Sequence, residues 1–513
     1  MPIDVEVRNS PGWWFNTLAT QLHDRRVGRD GRRRWNRAGV ASSKVRPPLL
    51  LLDDYLRGDP PLHDDIHAGW AEPFRRYVRM GRLNIAGLAV SSPATRMGIR
   101  DFRTAAADDE LGDVEARRLM RRNKLKVKIR EIHETCLALG DAYAIVIPPD
   151  GGRSHALITA ESPLECITAE DPQTGETLAG LKLFRDETND CDWAYLFLPG
   201  RLLVARLDGA TSLRRTGMWR FSKGWEWVDA KADTVPGGRV AMVRFRNKDG
   251  VGEFERHLDS LDRMNDKLFN EWWISKIQAF RQRAVKLPDE DSDDLLEDAE
   301  ATADAGIDDE NPLYSADADL SGIFTSAPDA MWRLPKDAEI WESQNVDVTP
   351  LVNSIKTELE HFAAALAIPL YSITPDSADG SAEGATAMRE EHVNKVQDRR
   401  DRTEGSWAET LAMAFLFQGD TERADVSQIE CLWAPIERFS LGEMSQAASQ
   451  LAGILPREAI WTDILQYSPA DVQERLRDQW AAQQATDLLY AATSATSTGA
   501  TGAGSGTQGA GGA

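Results

Sequence analysis

Apolar side chains at Val352, Ile355, Leu359, Phe362 and Leu366 recur at spacings of three and four, which on a helix makes one apolar stripe. Pro369 ends that pattern, and from there to Ala385 the chain is rich in Ser, Thr, Asp and Gly, residues that break helices and hydrogen-bond their own backbone. A loop is expected there. A second helical arm is expected from Ala385 to Phe417, with Met388, Val393, Val396, Trp407 and Leu411 on it and a basic cluster of Arg399, Arg400 and Arg402. A loop held between two long helices can be aimed at something.

The rest of the pattern is mixed. Helical spacing covers Pro73 to Arg82 and Val114 to Leu139, with Gly140 placed to end the second helix, and Tyr143 to Ile147 reads as a buried strand. Short strand-like runs then follow at Leu157 to Thr159, Ala179 to Leu183, Trp193 to Leu198, Leu202 to Leu207, Trp225 to Val228 and Val240 to Phe245. Helix is expected again from Glu253 to Leu287, with Phe254, Leu258, Leu261, Leu268, Trp272, Ile277 and Phe280 on one face. Lys276, Arg281, Arg283 and Lys286 are expected in its last turns, where cations suit the helix dipole. Apolar runs at Ile323 to Phe324, Met331 to Leu334 and Glu339 to Trp341 can pair as strands. Beyond Phe417 come a strand at Ile429 to Trp433, helices from Leu441 to Tyr490, and a low-complexity tail from Ser497.

Charge narrows the classes. With 82 acidic against 60 basic residues the 513-residue chain has a formal net charge of -22, which argues against coating nucleic acid over the whole surface while allowing a local basic patch. Its length gives room for roughly three domains. Residues 289 to 310 hold twelve acidic side chains and no basic one, so self-repulsion should keep that stretch solvated. The first fifty residues carry Trp13, Trp14 and Phe15 and then seven arginines from Arg25 to Arg37. They read either as a contact for nucleic acid or an acidic partner, or as a solvated arm.

Chemistry is sparse. Cys136, Cys166, Cys191 and Cys431 form no CxxC pair and read as buried thiols in a reducing compartment. His63 and His67 are spaced as in a zinc helix, but Asp64 stands where the base belongs. The run beginning at Asp317 opens like a calcium loop and then has Pro328 at the twelfth position. No phosphate loop or nucleophile elbow occurs. No enzyme activity, catalytic residue, metal or cofactor is therefore expected. The acidic start, Met1 to Val7, excludes an ordinary secretory signal, and the longest apolar stretches fall short of the roughly 18 to 20 residues of a membrane span, so a cytoplasmic chain is expected.

Several segments in order resemble the portal proteins, or head-to-tail connectors, of tailed bacteriophages, especially the long-tailed type. They are Tyr55 to Leu62, Leu139 to Val146 and Ile158 to Pro163, then Gly252 to Glu255, Leu261 to Asn265 and Ala279 to Arg283. The resemblance covers about 50 to 420, and the joint order is more specific than any one segment. It implies an α+β portal fold: an N-terminal arm (1–50), a mixed wing domain (51–252), a helical stem (253–287 and 346–369) and a small clip (288–345). A tunnel loop (370–384), a long helix with wing return (385–440), a helical crown (441–492) and a disordered tail (493–513) complete it.

The resemblance also implies a homo-oligomeric ring, usually dodecameric, at one capsid vertex of the virion, assembled in the host cytoplasm with no membrane. Double-stranded DNA passes through it, and terminase, the major capsid or scaffold protein and a head-tail adaptor are its partners. Tunnel-loop residues would be Ser372, Thr374, Asp376, Ser377, Asp379 and Ser381. Arg281, Arg283, Lys286, Arg399, Arg400 and Arg402 are candidates for DNA-backbone contacts, or else for helix-end and intersubunit salt bridges. With no cation between Leu370 and Gly384, the loop would touch DNA by packing, hydrogen bonding or steric gating. Two competing readings are a metal-dependent nuclease using the acidic clusters, and a monomeric nucleic-acid-binding adaptor working through Arg32 to Arg37.

Overall fold

The computed structural model describes residues 7–28, 46–61, 78–104, 106, 112–150, 152–208, 224–228, 233–279, 283–286, 339–342, 346–369, 372–373, 382–437, 441–467 and 469–499. The chain divides into two compact units. One comprises Met1–His63, Asn84–Leu258 and Ala363–Ala513, the other Asp64–Leu83 and Asp259–Phe362.

The larger unit is built on two antiparallel sheets. Helices α1 (Pro11–Val27), α2 (Leu49–Leu56) and α3 (Ile85–Ala94) precede strand β1 (Ile99–Arg103). The helical run expected from Val114 to Leu139 is two helices, α4 (Val114–Asn123) and α5 (Leu125–Leu139), because Lys124 turns left-handed at φ 53 between them. Strands β2 (Asp141–Ile147), β3 (Leu157–Glu161) and β10 (Met242–Arg246) form one sheet in the order β10-β2-β3. The other sheet holds β4 (Cys166–Glu170), β5 (Thr177–Asp186), β6 (Cys191–Leu198), β7 (Arg201–Asp208) and β8 (Glu226–Trp227) in sequence, and β9 (Asp233–Thr234) also pairs with β7.

Strand β6 is apolar almost throughout because both of its faces are covered. Ala194, Leu196 and Leu198 belong to one core cluster with Phe15, Leu18, Ala19 and Leu22 of α1, while Cys191, Trp193 and Phe197 belong to the main core. This corrects the reading of the first residues as a solvated arm. Residues 11–27 are a helix capped by the Ser10 hydroxyl, and Phe15 and Leu18 are fully buried. Trp14 and Phe15 pack with the sheet residues of that cluster. The arginines from Arg29 to Arg37 lie outside the described residues.

Helix α6 (Leu258–Ala279) and helix α7 (Thr349–Ala365) lie for most of their length in the smaller unit. They run antiparallel there. Lys267 Nζ reaches Ser354 Oγ at 2.9 Å, Lys267 and Arg263 both pair with Glu358, and Gln278 Nε2 donates to the Val346 carbonyl at 2.6 Å. The helix expected to Leu287 ends instead at Ala279. Strand β11 (Arg283–Lys286) pairs with β12 (Glu339–Glu342), Arg283 opposite Glu342 and Lys286 opposite Glu339. Arg283 and Lys286 are therefore strand residues rather than cations of a helix end. The acidic run, the calcium-like segment, His63, His67 and Arg281 lie outside the described residues.

Back in the larger unit, helix α8 (Ala382–Phe417) starts three residues before the expected Ala385. Its Val396, Trp407, Leu411 and Ala412 are buried, and Ser406 Oγ donates to the Arg244 carbonyl of β10 at 2.8 Å. Strand β13 (Glu430–Trp433) pairs with β1, a partnership no local pattern announces. Helices α9 (Leu441–Leu451) and α10 (Pro469–Gly499) follow, so the helix runs past residue 493, where the tail was expected to begin. The four cysteines are buried and unpaired. Among the described residues no helix is long and apolar enough to cross a membrane.

Candidate functional site

The loop between α7 and α8 stands on a base that is fully specified in the larger unit. Helix α7 ends in a Schellman motif. The Ile368 N–H bonds the Ala363 carbonyl at 2.8 Å and the Ala367 N–H bonds the Ala364 carbonyl at 3.2 Å, with Ala367 left-handed at φ 50. Helix α8 supplies donors for two further carbonyls, those of Leu366 and Ala367. Lys395 Nζ donates to Leu366 O at 2.7 Å, and His392 Nδ1, also 2.7 Å away, donates to Ala367 O. One end of the loop is thus pinned by the helix at its other end.

The same helix is tied to the segment before α6 through Glu253. Its carboxylate, only 4% exposed, takes Lys395 Nζ at 2.8 Å and Arg399 Nε at 2.7 Å, and Asn247 Nδ2 donates to it at 3.0 Å. Burial favours the neutral acid, but Lys395 and Arg399 outweigh it and hold the carboxyl below its ordinary value. The Glu253 N–H bonds Leu137 O at 2.7 Å. That approach needs glycine on both sides, because a Cβ on Gly252 would lie 2.2 Å from Ala138 O and one on Gly140 2.1 Å from Gly250 O. Two of the segments that carried the family resemblance, around Leu139 and Gly252, therefore touch here.

Nearby in sequence to Glu253, Glu255 is held by Arg46 Nε and Nη2, at 2.9 and 2.8 Å, and Nη2 also donates to Gly250 O at 2.5 Å. A cleft of about 470 Å³ opens beside these groups, lined among others by Glu253, Leu366, Lys395, Asp398 and Arg399. His392 is wholly buried, and burial pushes its pKa down to about 4, so its ring is neutral near pH 7.

Among the six candidate cations, Arg399 is 12% exposed and spends its charge on Glu253 and Asp398. Arg400 is buried, bonded to the carbonyls of Arg96 and Ala434, and lies over the Trp433 ring. Arg402 is 39% exposed and pairs with Asp398 at 2.9 Å. Of these three, Arg402 offers the most surface. Of the expected loop residues only Ser372 is described, and it is exposed; Thr374, Asp376, Ser377, Asp379 and Ser381 lie outside the described residues. Sequence reading missed Glu253, His392 and Lys395 as the base. The spacing of Lys395 and Arg399, two cations four apart on one helix face, was the available signal. No group of three or more His, Cys, Asp or Glu side chains able to hold a metal occurs among the described residues.

The family model described as "Phage portal protein, SPP1 Gp6-like" matches residues 42–486, more than half of the chain. No curated protein matches. Among solved structures, one described as "Neck of empty GTA particle computed with C6 symmetry" is 12% identical with a TM-score of 0.39, covering 74% of this chain and 87% of its own. Another, "Virion of native gene transfer agent (GTA) particle", is 11% identical with a TM-score of 0.38, covering 75% and 89%.

Proposed function

This chain belongs to the SPP1 Gp6-like family of phage portal proteins, and from that premise we propose that it forms a non-enzymatic ring at one capsid vertex through which double-stranded DNA is packaged and later ejected. The family match over residues 42–486 carries this reading. Two features of the chain support it. Trp480 and Leu488 of α10 are 69% and 72% exposed in the single chain, apolar surface that a neighbouring copy would cover. A net charge of -22 suits a tunnel in which a polyanion must slide, since every phosphate neutralised adds affinity and friction.

In this reading the ring has about a dozen copies, the usual portal number and a closed cyclic assembly of identical interfaces. Terminase docks on it during packaging, the capsid or scaffold protein surrounds it, and a head-tail adaptor replaces terminase afterwards. Residues 370–384 form the tunnel loop, with Ser372, Thr374, Asp376, Ser377, Asp379 and Ser381 meeting DNA by packing and hydrogen bonding. Arg402, Arg281, Arg283 and Lys286 are the cations proposed for weak backbone contacts. Arg399 and Arg400, already engaged within the protomer, serve to hold α8 in place.

The locked base favours a loop that acts at a fixed position. Deleting Asp376 to Ser381 should leave assembly intact, because Glu253, His392 and Lys395 all lie outside the deletion, while lowering the DNA packaged or retained per particle. Full packaging by that mutant in a DNA-protection assay would remove the loop from the mechanism.

A further inference from the structure

The junction of α4 and α5 reverses the sign of the chain. From Arg117 to Arg130 the sequence holds eight cations and no acid, in a chain whose net charge is -22. Of the exposed side chains in that run, all but Val127 are cationic. Arg118, Arg121 and Arg122 stand three and four apart and share one face of α4, and Lys124 and Lys126 follow within at most about 14 Å of Arg122 along the chain. A single exposed valine is ordinary surface and no apolar centre for a protein partner.

Half of these cations are already engaged. Arg117 pairs with Asp101 at 2.6 Å, Arg118 with Glu115, and Arg130 with Glu134 at 2.8 Å, while Lys128 donates to the Ile158 carbonyl. Those pairs use two of the three acids in α4 and α5. Burial lowers the pKa of Lys128, opposed by the third acid, Glu131, and by Glu161, while Lys124 adds to the fall. Arg121, Arg122, Lys124 and Lys126 remain. Their side chains make no ion pair and no hydrogen bond among the described residues. Helix electrostatics favour only Arg121 and Arg122, in the last turn of α4. Lys126 stands in the first turn of α5, which contains no acid, and opposes the dipole there.

We propose that these four cations hold the phosphate backbone of double-stranded DNA. Unpaired like charges this close repel one another, and an anion of matching density removes that cost; a duplex carries one negative charge per about 1.7 Å of its axis. An acidic protein would bring carboxylates mixed with bases and an apolar centre, for which the junction offers no counterpart. No Phe, Tyr or Trp lies between Val114 and Ile132 to stack on an unpaired base, so the contact reads backbone rather than sequence and suits a duplex rather than a single strand. That the duplex is DNA rests on the portal reading, whereas the affinity for a polyanion rests on the four cations alone. Where the passage of a ring must let DNA slide, this junction retains it, since each neutralised phosphate adds affinity.

The test is fluorescence anisotropy of a labelled DNA duplex of about 20 base pairs, titrated with the full-length protein over a salt series. For the wild type the logarithm of the binding constant should fall linearly with the logarithm of salt concentration. In the variant carrying Arg121→Gln, Arg122→Gln, Lys124→Gln and Lys126→Gln the slope should be shallower by about 3 to 4, each phosphate contact contributing about 0.9. The control carries Arg201→Gln, Lys248→Gln, Arg457→Gln and Arg477→Gln, four exposed cations far apart in the sequence, and should keep most of the wild-type slope. No duplex binding by the wild type, an unchanged slope in the junction variant, or an equal loss in the control overturns the proposal. So does stronger competition by a polyglutamate peptide than by unlabelled duplex, which makes the partner an acidic protein. If circular dichroism shows the fourfold variant unfolded, Lys126→Gln decides: a slope shallower by about one supports the contact, and an unchanged slope overturns it. Ring formation, read by electron microscopy, does not depend on these four side chains, so failure here leaves the portal reading standing.

Discussion

Glu253 shows how much can depend on one buried charge. Replacing it with Gln keeps the shape but leaves Lys395 and Arg399 without their anion in a nearly dry site, so Glu253→Gln should destabilise the larger unit by about 3 kcal/mol in chemical denaturation. Its acidity supplies a pH signature. A carboxyl held below its ordinary value of 4.5 stabilises the fold above that value, and the stabilisation is lost as pH falls through the folded value. His392 acts in a different window. The unfolded chain takes up its proton near 6.5 while the folded one resists until about 4, so as pH falls through that interval stability should drop by up to about 3 kcal/mol. Denaturation at a series of pH values should show this slope in the wild type and not in His392→Gln.

These roles were only partly legible in the sequence. Gly140 was read correctly as a helix stop, and Gly252 lay in a recognisable segment, but that each must be glycine because another backbone passes within contact distance is a fact of the fold. Arg399, Arg400 and Arg402 look alike on paper. Their partners lie at Glu253, at Arg96 and Ala434, and at Asp398, and only the Asp398 to Arg402 pair follows from spacing.

Among elements, the long helices and most strands of the larger unit were visible as period and alternation, because each buries one stripe or one face. What escaped were elements fixed by distant partners. Helix α1 sits among aromatic and arginine residues that resemble an arm, yet it covers a sheet face formed by residues more than a hundred positions later. Phe15→Ala should therefore cost about 3 to 4 kcal/mol, and a truncation of residues 1–50 should harm the fold of the larger unit as well as any binding. Strand β11 looked like a continuing helix because Arg283 to Lys286 is too short for periodicity to decide, and its pairing with β12 spans more than fifty residues. Helix α8 is the element on which the loop base and the β10-β2-β3 sheet both depend. Its Trp407 is fully buried and donates to His133 Nε2 at 2.9 Å. Trp407→Ala should lower stability by about 3 to 5 kcal/mol, measured by tryptophan-independent far-ultraviolet dichroism.

For the whole molecule, the negative charge, the exposed apolar residues of α10 and a loop locked at its base make sense together if many copies close around a passage for DNA. A lone chain would leave Trp480 and Leu488 in water and give the loop nothing to face. Electron microscopy of the purified full-length protein tests this most directly. The account predicts closed rings of about a dozen copies around a central opening of roughly 20 Å or more, wide enough for a DNA duplex. Particles that remain single chains under assembly conditions, or rings with no through-passage, would contradict it.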